Sequence, residues 1–175
     1  MLRRPSRTTP PAGFYTSWKK WLPVMKAYEA RTPAYFATPP TNLIYALHTS
    51  LKTITEGPVS LAQRFEKHRE ASQRVKKGIE NLGLEQLAQP DSRQNGVANG
   101  MTAVRYPQGF KASDILPKMA QRGVVFGAGL HKDAKDEYFR IGHMGVSVVD
   151  PARRDVDIIL QKLEEALAEA GYQKQ

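Results

Sequence analysis

Between Pro58 and Leu82 the positions Leu61, Phe65, His68, Ser72, Val75, Ile79 and Leu82 follow at spacings of 4, 3, 4, 3, 4 and 3. Those steps stay on one side of a 3.6-residue helix, so the segment predicts a long helix seated on a neighbour and stopped at Gly83. Upstream, Leu43, Leu47, Leu51 and Ile54 repeat at four, four and three residues. That stripe predicts a helix over Pro39 to Glu56, opened by Thr38-Pro39-Pro40 and ended at Gly57. Before it, Trp18, Trp21, Leu22, Met25 and Tyr28 fall at helical spacing within Ser17 to Ala30, with Pro23 as a kink or the end of a turn.

After Leu84 the apolar residues come in short runs divided by Asn-Gly, Pro and Gly, the texture of strands and turns. The predicted strands are Leu84 to Ala88, Met101 to Tyr106, Val124 to Phe126 and Tyr138 to Gly142. Between them Ser113 to Arg122 reads as a short helix capped by Ser113 and stopped by Gly123. A last helix begins at Asp150-Pro151, carries Val156, Ile159, Leu160, Leu163 and Leu167 on one face, and ends before Gly171. Helices first, then a small sheet with helices against it, is an α+β order. No internal repeat is visible.

The chain has 175 residues, 41% hydrophobic and 25% charged, within the range of globular proteins. The absence of cysteine excludes thiolate catalysis, disulfides and sulfur-ligated zinc. No apolar run approaches the roughly 20 residues that cross a bilayer, so no membrane partner is expected. A net charge of +9 raises the question of a polyanionic partner. Residues 1–33 hold +6 of it and the remaining 142 residues only +3, which makes basicity a property of the leading segment. Residues 1–13, with three prolines and one glycine, read as an extended arm; their Arg, Ser and Thr also fit an organelle presequence, but without its apolar stripe.

Several residues carry candidate chemistry. The run Val124 to Leu130 reads as a glycine-rich phosphate loop or as close backbone packing. It lacks both the third glycine of a dinucleotide fingerprint and the Gly-Lys-Ser/Thr of a P-loop. His131, Asp133, Asp136 and Glu137 match no ligand spacing, so they read as solvated polar residues and no metal is expected. His68 reads as a hydrogen-bonded core or interface histidine rather than a base, and His48 and His143 stand alone.

Arg140, inside Tyr138-Phe139-Arg140-Ile141-Gly142, has two readings. It is either a surface arginine on an edge strand or a guanidinium whose planar fork grips a carboxylate in two-pronged fashion. Tyr35-Phe36-Ala37-Thr38-Pro39-Pro40 also has two. Thr38 caps the helix, or Thr38 and Tyr35 together hold a phosphate by their side chains, since the prolines donate no N–H.

Those two runs, with Met101-Thr102-Ala103-Val104-Arg105-Tyr106-Pro107-Gln108-Gly109 and Gly123 to His131, resemble the C-terminal part of class V, fold-type I pyridoxal-phosphate aminotransferases. Within that family the wording is most similar to the fungal alanine:glyoxylate enzymes. The resemblance runs from about Ser6 to Ala170. It implies a small α+β domain with a short antiparallel sheet and helices on one side, preceded by helices. The division it suggests is an extended arm at 1–16, interdomain or interface helices at 17–57 and the aminotransferase small domain at 58–175.

It further implies pyridoxal 5'-phosphate as cofactor, with Tyr35 and Thr38 at the phosphate of the neighbouring subunit, Arg140 on the substrate α-carboxylate, and a homodimer with active sites at its interface. The implied reaction moves an amino group from alanine to glyoxylate, giving pyruvate and glycine. The family's cofactor-bearing lysine follows a Ser-Gln-like lead. Here Ser72-Gln73 is followed by Arg74 in a predicted helix, so no catalytic residue is assigned and Met1 is expected to mark a shortened chain that is inactive alone. Two rivals stay open: a serine-pyruvate or serine-glyoxylate enzyme of the same class, and a non-enzymatic module binding polyanions through residues 1–33.

Overall fold

The computed structural model describes residues 13, 15–88 and 97–174. The expected arm at 1–16 therefore lies almost wholly outside the described residues. By packing the chain divides into two compact units, Met1–Lys52 and Thr53–Gln175.

The first unit contains α1 (Trp18–Glu29) and most of α2 (Thr41–Thr55). Pro23 lies inside α1 and does not end it. Trp21 is the local anchor: its ring meets Tyr15 and Phe36 edge-on at centroid distances of 5.5 and 4.8 Å. Pro39 and Pro40 precede α2 rather than entering it; their missing N–H groups cost nothing there because first-turn donors have no helical partner. No residue of α2 is buried, and Leu43, Leu47 and Leu51 are all exposed.

The second unit holds α3 (Leu61–Asn81), β1 (Met101–Arg105), α4 (Ala112–Gln121), β2 (Gly127–Ala128), β3 (Tyr138–Gly142), α5 (Val146–Val149) and α6 (Asp155–Glu169). Ser60 starts α3 with a reciprocal pair of bonds. Its hydroxyl accepts from the Gln63 N–H at 3.2 Å, and its own N–H donates to Gln63 Oε1 at 2.9 Å. The three longer helices stop where expected, at Gly83, Gly123 and Gly171. Each glycine has φ between 73° and 86°, and the residue after it donates back into the helix, as in Leu84 N to Ile79 O at 3.0 Å.

The sheet is antiparallel in the order β1-β3-β2. Alternation along the strands puts Thr102, Val104, Phe139 and Ile141 on one face. On that side lies the core, which adds Val75 and Ile79 of α3, Ile115 and Met119 of α4, and Val156, Leu163 and Leu167 of α6. Phe139 stacks on Phe126 at 5.3 Å with planes only 10° apart.

Four sequence expectations shift. The strand expected at Leu84 to Ala88 is a single bridge, Gln86 to Val104. The strand expected at Val124 to Phe126 begins later, at Gly127, because the Val124 N–H is committed to Met119 O in closing α4. Ser113 is not the cap of α4: the Asp114 carboxylate accepts from Lys111 N at 2.9 Å, and the Ser113 hydroxyl only reaches Asp114. The last helix starts at Asp155, since Asp150 ends the short α5 and its carboxylate accepts from Ala152 N at 2.9 Å in a separate turn.

Among the described residues no helix is long and apolar enough to cross a membrane.

Candidate functional site

Arg140 is the central residue of the central strand, not of an edge. Its Cα partners are Ala103 on β1 and Gly127 on β2. It lies on the face opposite Phe139 and Ile141, flanked by two small residues that leave room for a guanidinium. Its Nε donates to Ala128 O at 2.9 Å. No carboxylate among the described residues forms an ion pair with it. A half-buried guanidinium held by its Nε, with its terminal nitrogens given no carboxylate, suits an incoming planar anion.

Two residues earlier on the same face stands Tyr138. Its phenol oxygen accepts from Leu130 N at 2.9 Å and His131 N at 3.0 Å, tying the loop after β2 to β3. The Leu130 and His131 N–H groups hold this phenol below its ordinary pKa against the opposing effect of burial, and the Arg140 charge adds to them. The glycine-rich run is thus a packing device. A Cβ at Gly129 would come within 2.2 Å of the Lys135 carbonyl oxygen, and one at Gly127 within 2.8 Å of Arg140 Nη2. Of the polar residues that follow, Glu137 pairs with Arg105 at 2.8 Å. Among the described residues no group of three or more acids and histidines could hold a metal ion.

Tyr35 and Thr38, in the first unit, are brought together: their hydroxyls lie 2.7 Å apart just before α2, and both side chains are exposed. Two hydroxyls side by side ahead of a helix N-terminus fit a phosphate monoester, because each can donate to a different oxygen while the helix dipole favours negative charge.

Two of the histidines, His68 and His143, are held within the fold. His68 Nδ1 lies 2.6 Å from Arg64 O and its Nε2 accepts from Gly145 N at 3.0 Å, so both ring nitrogens are occupied. His48 is exposed on α2. His143 is 1% exposed, with Nε2 2.8 Å from the Thr102 hydroxyl. The sequence did not signal this buried pair.

Burial holds His143 below its ordinary pKa, and the nearby charge of Lys76 acts in the same direction, against backbone groups of His143 and Asn99 that favour its protonation. Below its unfolded value of about 6.5 the unfolded chain therefore binds the extra proton more readily, and the stability present above that pH is lost as pH falls through the lower folded value. The urea midpoint should drop between pH 7.5 and 5, and His143→Gln, which cannot titrate, should flatten that dependence. An equal slope in both chains would assign the acid sensitivity to other groups.

No protein-family model matches the chain. Alanine–glyoxylate aminotransferase 1 of Saccharomyces cerevisiae is 40% identical over 135 residues, covering 77% of this chain and 34% of that protein. Serine–glyoxylate aminotransferase of Arabidopsis thaliana is 30% identical over 126 residues, covering 71% of this chain and 30% of that protein. Among solved structures, an alanine–glyoxylate aminotransferase from Nostoc sp. superposes with a TM-score of 0.70 at 24% identity, covering 93% of this chain and 40% of that one. The chain thus spans about a third of the length of the curated relatives it matches.

Proposed function

Because the chain is related over most of its length to the class V, fold-type I pyridoxal-phosphate aminotransferases, we propose that it contributes the substrate-carboxylate and cofactor-phosphate contacts of a transaminase moving an amino group from alanine to glyoxylate. The observation that carries this reading is Arg140, pinned at Nε and with no carboxylate partner among the described residues, inside the run that resembles the family's carboxylate site. Pyridoxal phosphate, when bound, supplies an electrophilic carbonyl that holds the amino group between the two half-reactions. Tyr35 and Thr38 hold its phosphate, reaching the site of a partner subunit. Arg140 binds the α-carboxylate of alanine or the carboxylate of glyoxylate by two parallel N–H···O bonds. Fixing that plane fixes the direction of the Cα–H bond of the amino acid, which is catalysis by positioning.

The homodimer in this reading is supported by α2, whose apolar stripe is wholly exposed. The division into a leading arm at 1–16, interdomain or interface helices at 17–57 and a small domain at 58–175 belongs to the same reading. The alternative of a serine donor rests on one observation, the match to the Arabidopsis enzyme, which is lower in identity than the match to the yeast alanine enzyme. Arg140 does not choose between donors, since every α-amino acid presents the same carboxylate.

The test is to mix the chain with pyridoxal phosphate, alanine and glyoxylate. No turnover is expected, and borohydride should trap no stoichiometric adduct at a single lysine. One such adduct accompanied by turnover would overturn the assignment of a contributing rather than self-sufficient chain.

In an enzyme that also bears the cofactor-binding lysine, Thr38→Ala and Tyr35→Phe should each weaken cofactor binding by about 1–3 kcal/mol, the range for hydrogen bonds to charged groups. A heterodimer of one Thr38→Ala subunit with one lysine-less subunit retains a single complete site, served by the partner subunit's Thr38. Its affinity should be near normal; weak binding there would put Thr38 in the same subunit as the lysine.

A further inference from the structure

Resting on that reading of Arg140, we propose that Gly127 is a positioning residue for substrate binding. The bare backbone of β2 is the seat on which the guanidinium lies, with Nε held by Ala128 O and the Nη1–Nη2 edge left to meet a carboxylate.

The register puts Gly127 directly across from Arg140. A Cβ at Gly127 would stand 2.8 Å from Nη2, 3.1 Å from Cζ and 3.3 Å from Nε of Arg140, so a methyl group there would occupy the place of the guanidinium edge. Backbone conformation is not what requires glycine at this position. Gly127 is not among the glycines with positive φ, and an alanine could adopt its backbone. The atoms in the way belong to the far end of a flexible side chain, which can move at little cost to the fold.

Gly129 is the opposite case, because its obstruction is the Lys135 main chain, which cannot step aside. Gly127→Ala should therefore leave stability nearly intact and displace the fork. An arginine has four rotatable side-chain bonds, and one released from its seat must give up their entropy on binding and loses the alignment of its two donors. Ala103, the other cross-strand neighbour, keeps the second flank low.

The experiment follows the Arg140 Nε–H signal by NMR in the 15N-labelled chain, assigned by its loss in Arg140→Lys, with pyruvate as the carboxylate probe. In the unsubstituted chain this proton should exchange slowly, and pyruvate should shift the signal saturably. In Gly127→Ala the backbone spectrum and urea midpoint should stay close to those of the parent. The Nε–H should move to the position of free arginine, and pyruvate affinity should fall about ten-fold. In the Arg140→Lys background the same substitution should change pyruvate affinity by less than about two-fold, because an ammonium has no edge for the methyl group to strike.

Unchanged pyruvate affinity in Gly127→Ala, with binding abolished by Arg140→Ala, would overturn the role of Gly127 and leave the carboxylate reading standing. Pyruvate that shifts no Arg140 signal in the parent would overturn both. A Gly127→Ala chain that fails to fold even beside Arg140→Lys would place the need for glycine in the strand itself, and the proposal would fall.

Discussion

Arg140→Ala, in an enzyme that carries this chain together with the cofactor-binding lysine, is expected to lower kcat/KM for both alanine and glyoxylate by about 2–5 kcal/mol, the cost of leaving a desolvated charge without its partner. In rate that is roughly thirty-fold to several thousand-fold. The loss is large because Arg140 is already immobilised in the free protein: its Nε is bonded to Ala128 O, and its neighbours across the sheet are Ala103 and Gly127. The entropy of holding a long side chain is thus met on folding and not on substrate binding. Arg140→Lys should recover only part of the loss, since an ammonium keeps the charge but neither the fork nor the bond from Nε. Cofactor absorbance should be nearly unchanged in both variants, because the Tyr35 and Thr38 hydroxyls, not Arg140, are assigned to the phosphate. Near-normal kcat/KM with lowered stability would make Arg140 a structural strand residue and move the carboxylate site elsewhere.

Arg140 also shows what the sequence could and could not disclose. Alternation along Tyr138 to Gly142 separates it from Phe139 and Ile141 on paper, and the structure keeps that separation. Its place on the central strand was not legible, because β2 is a two-residue strand that begins only after the β-branched residues of the expected strand, Val124 and Val125, have passed. A strand that short has no periodicity to detect, and only the register discloses that Gly127 lies beneath the guanidinium.

Periodicity worked best on α3, where Ser72, Val75 and Ile79 of the predicted stripe are buried. Leu61 and Phe65, on the same stripe, are 47% and 62% exposed. A 3.6-residue pattern reports which side of a helix is apolar, not what covers it. Tyr35 and Thr38 were legible as a pair because three residues of loop suffice to bring two hydroxyls together. His143 was not, because its partner Thr102 lies 41 residues away, on the neighbouring strand.

Phe139→Ala is expected to destabilise the second unit by about 3–5 kcal/mol, the usual range for removing a fully buried aromatic side chain. Phe139 has no exposed surface, stacks on Phe126 and lies 5.3 Å from the tilted ring of Tyr106. It pairs across the sheet with Val104 on one side and Ala128 on the other. Its removal leaves a cavity between the two neighbouring strands and the rings of Phe126 and Tyr106, which cannot all close on it together. Against a total stability of roughly 5–15 kcal/mol for a domain, the urea midpoint should fall steeply with little change in slope. Phe139→Leu, which keeps most of the volume, should cost no more than about 1.5 kcal/mol. The same substitution tests the link from core to site. Ala128 is the Cα partner of Phe139 and also the acceptor for Arg140 Nε, so loosening the ring contact should speed exchange of the Arg140 Nε–H before the sheet unfolds. A Phe139→Ala chain within about 1 kcal/mol of the parent would show that the core does not depend on this ring. If instead stability fell while Arg140 Nε–H stayed protected up to global unfolding, Arg140 would be held independently of the core beneath it.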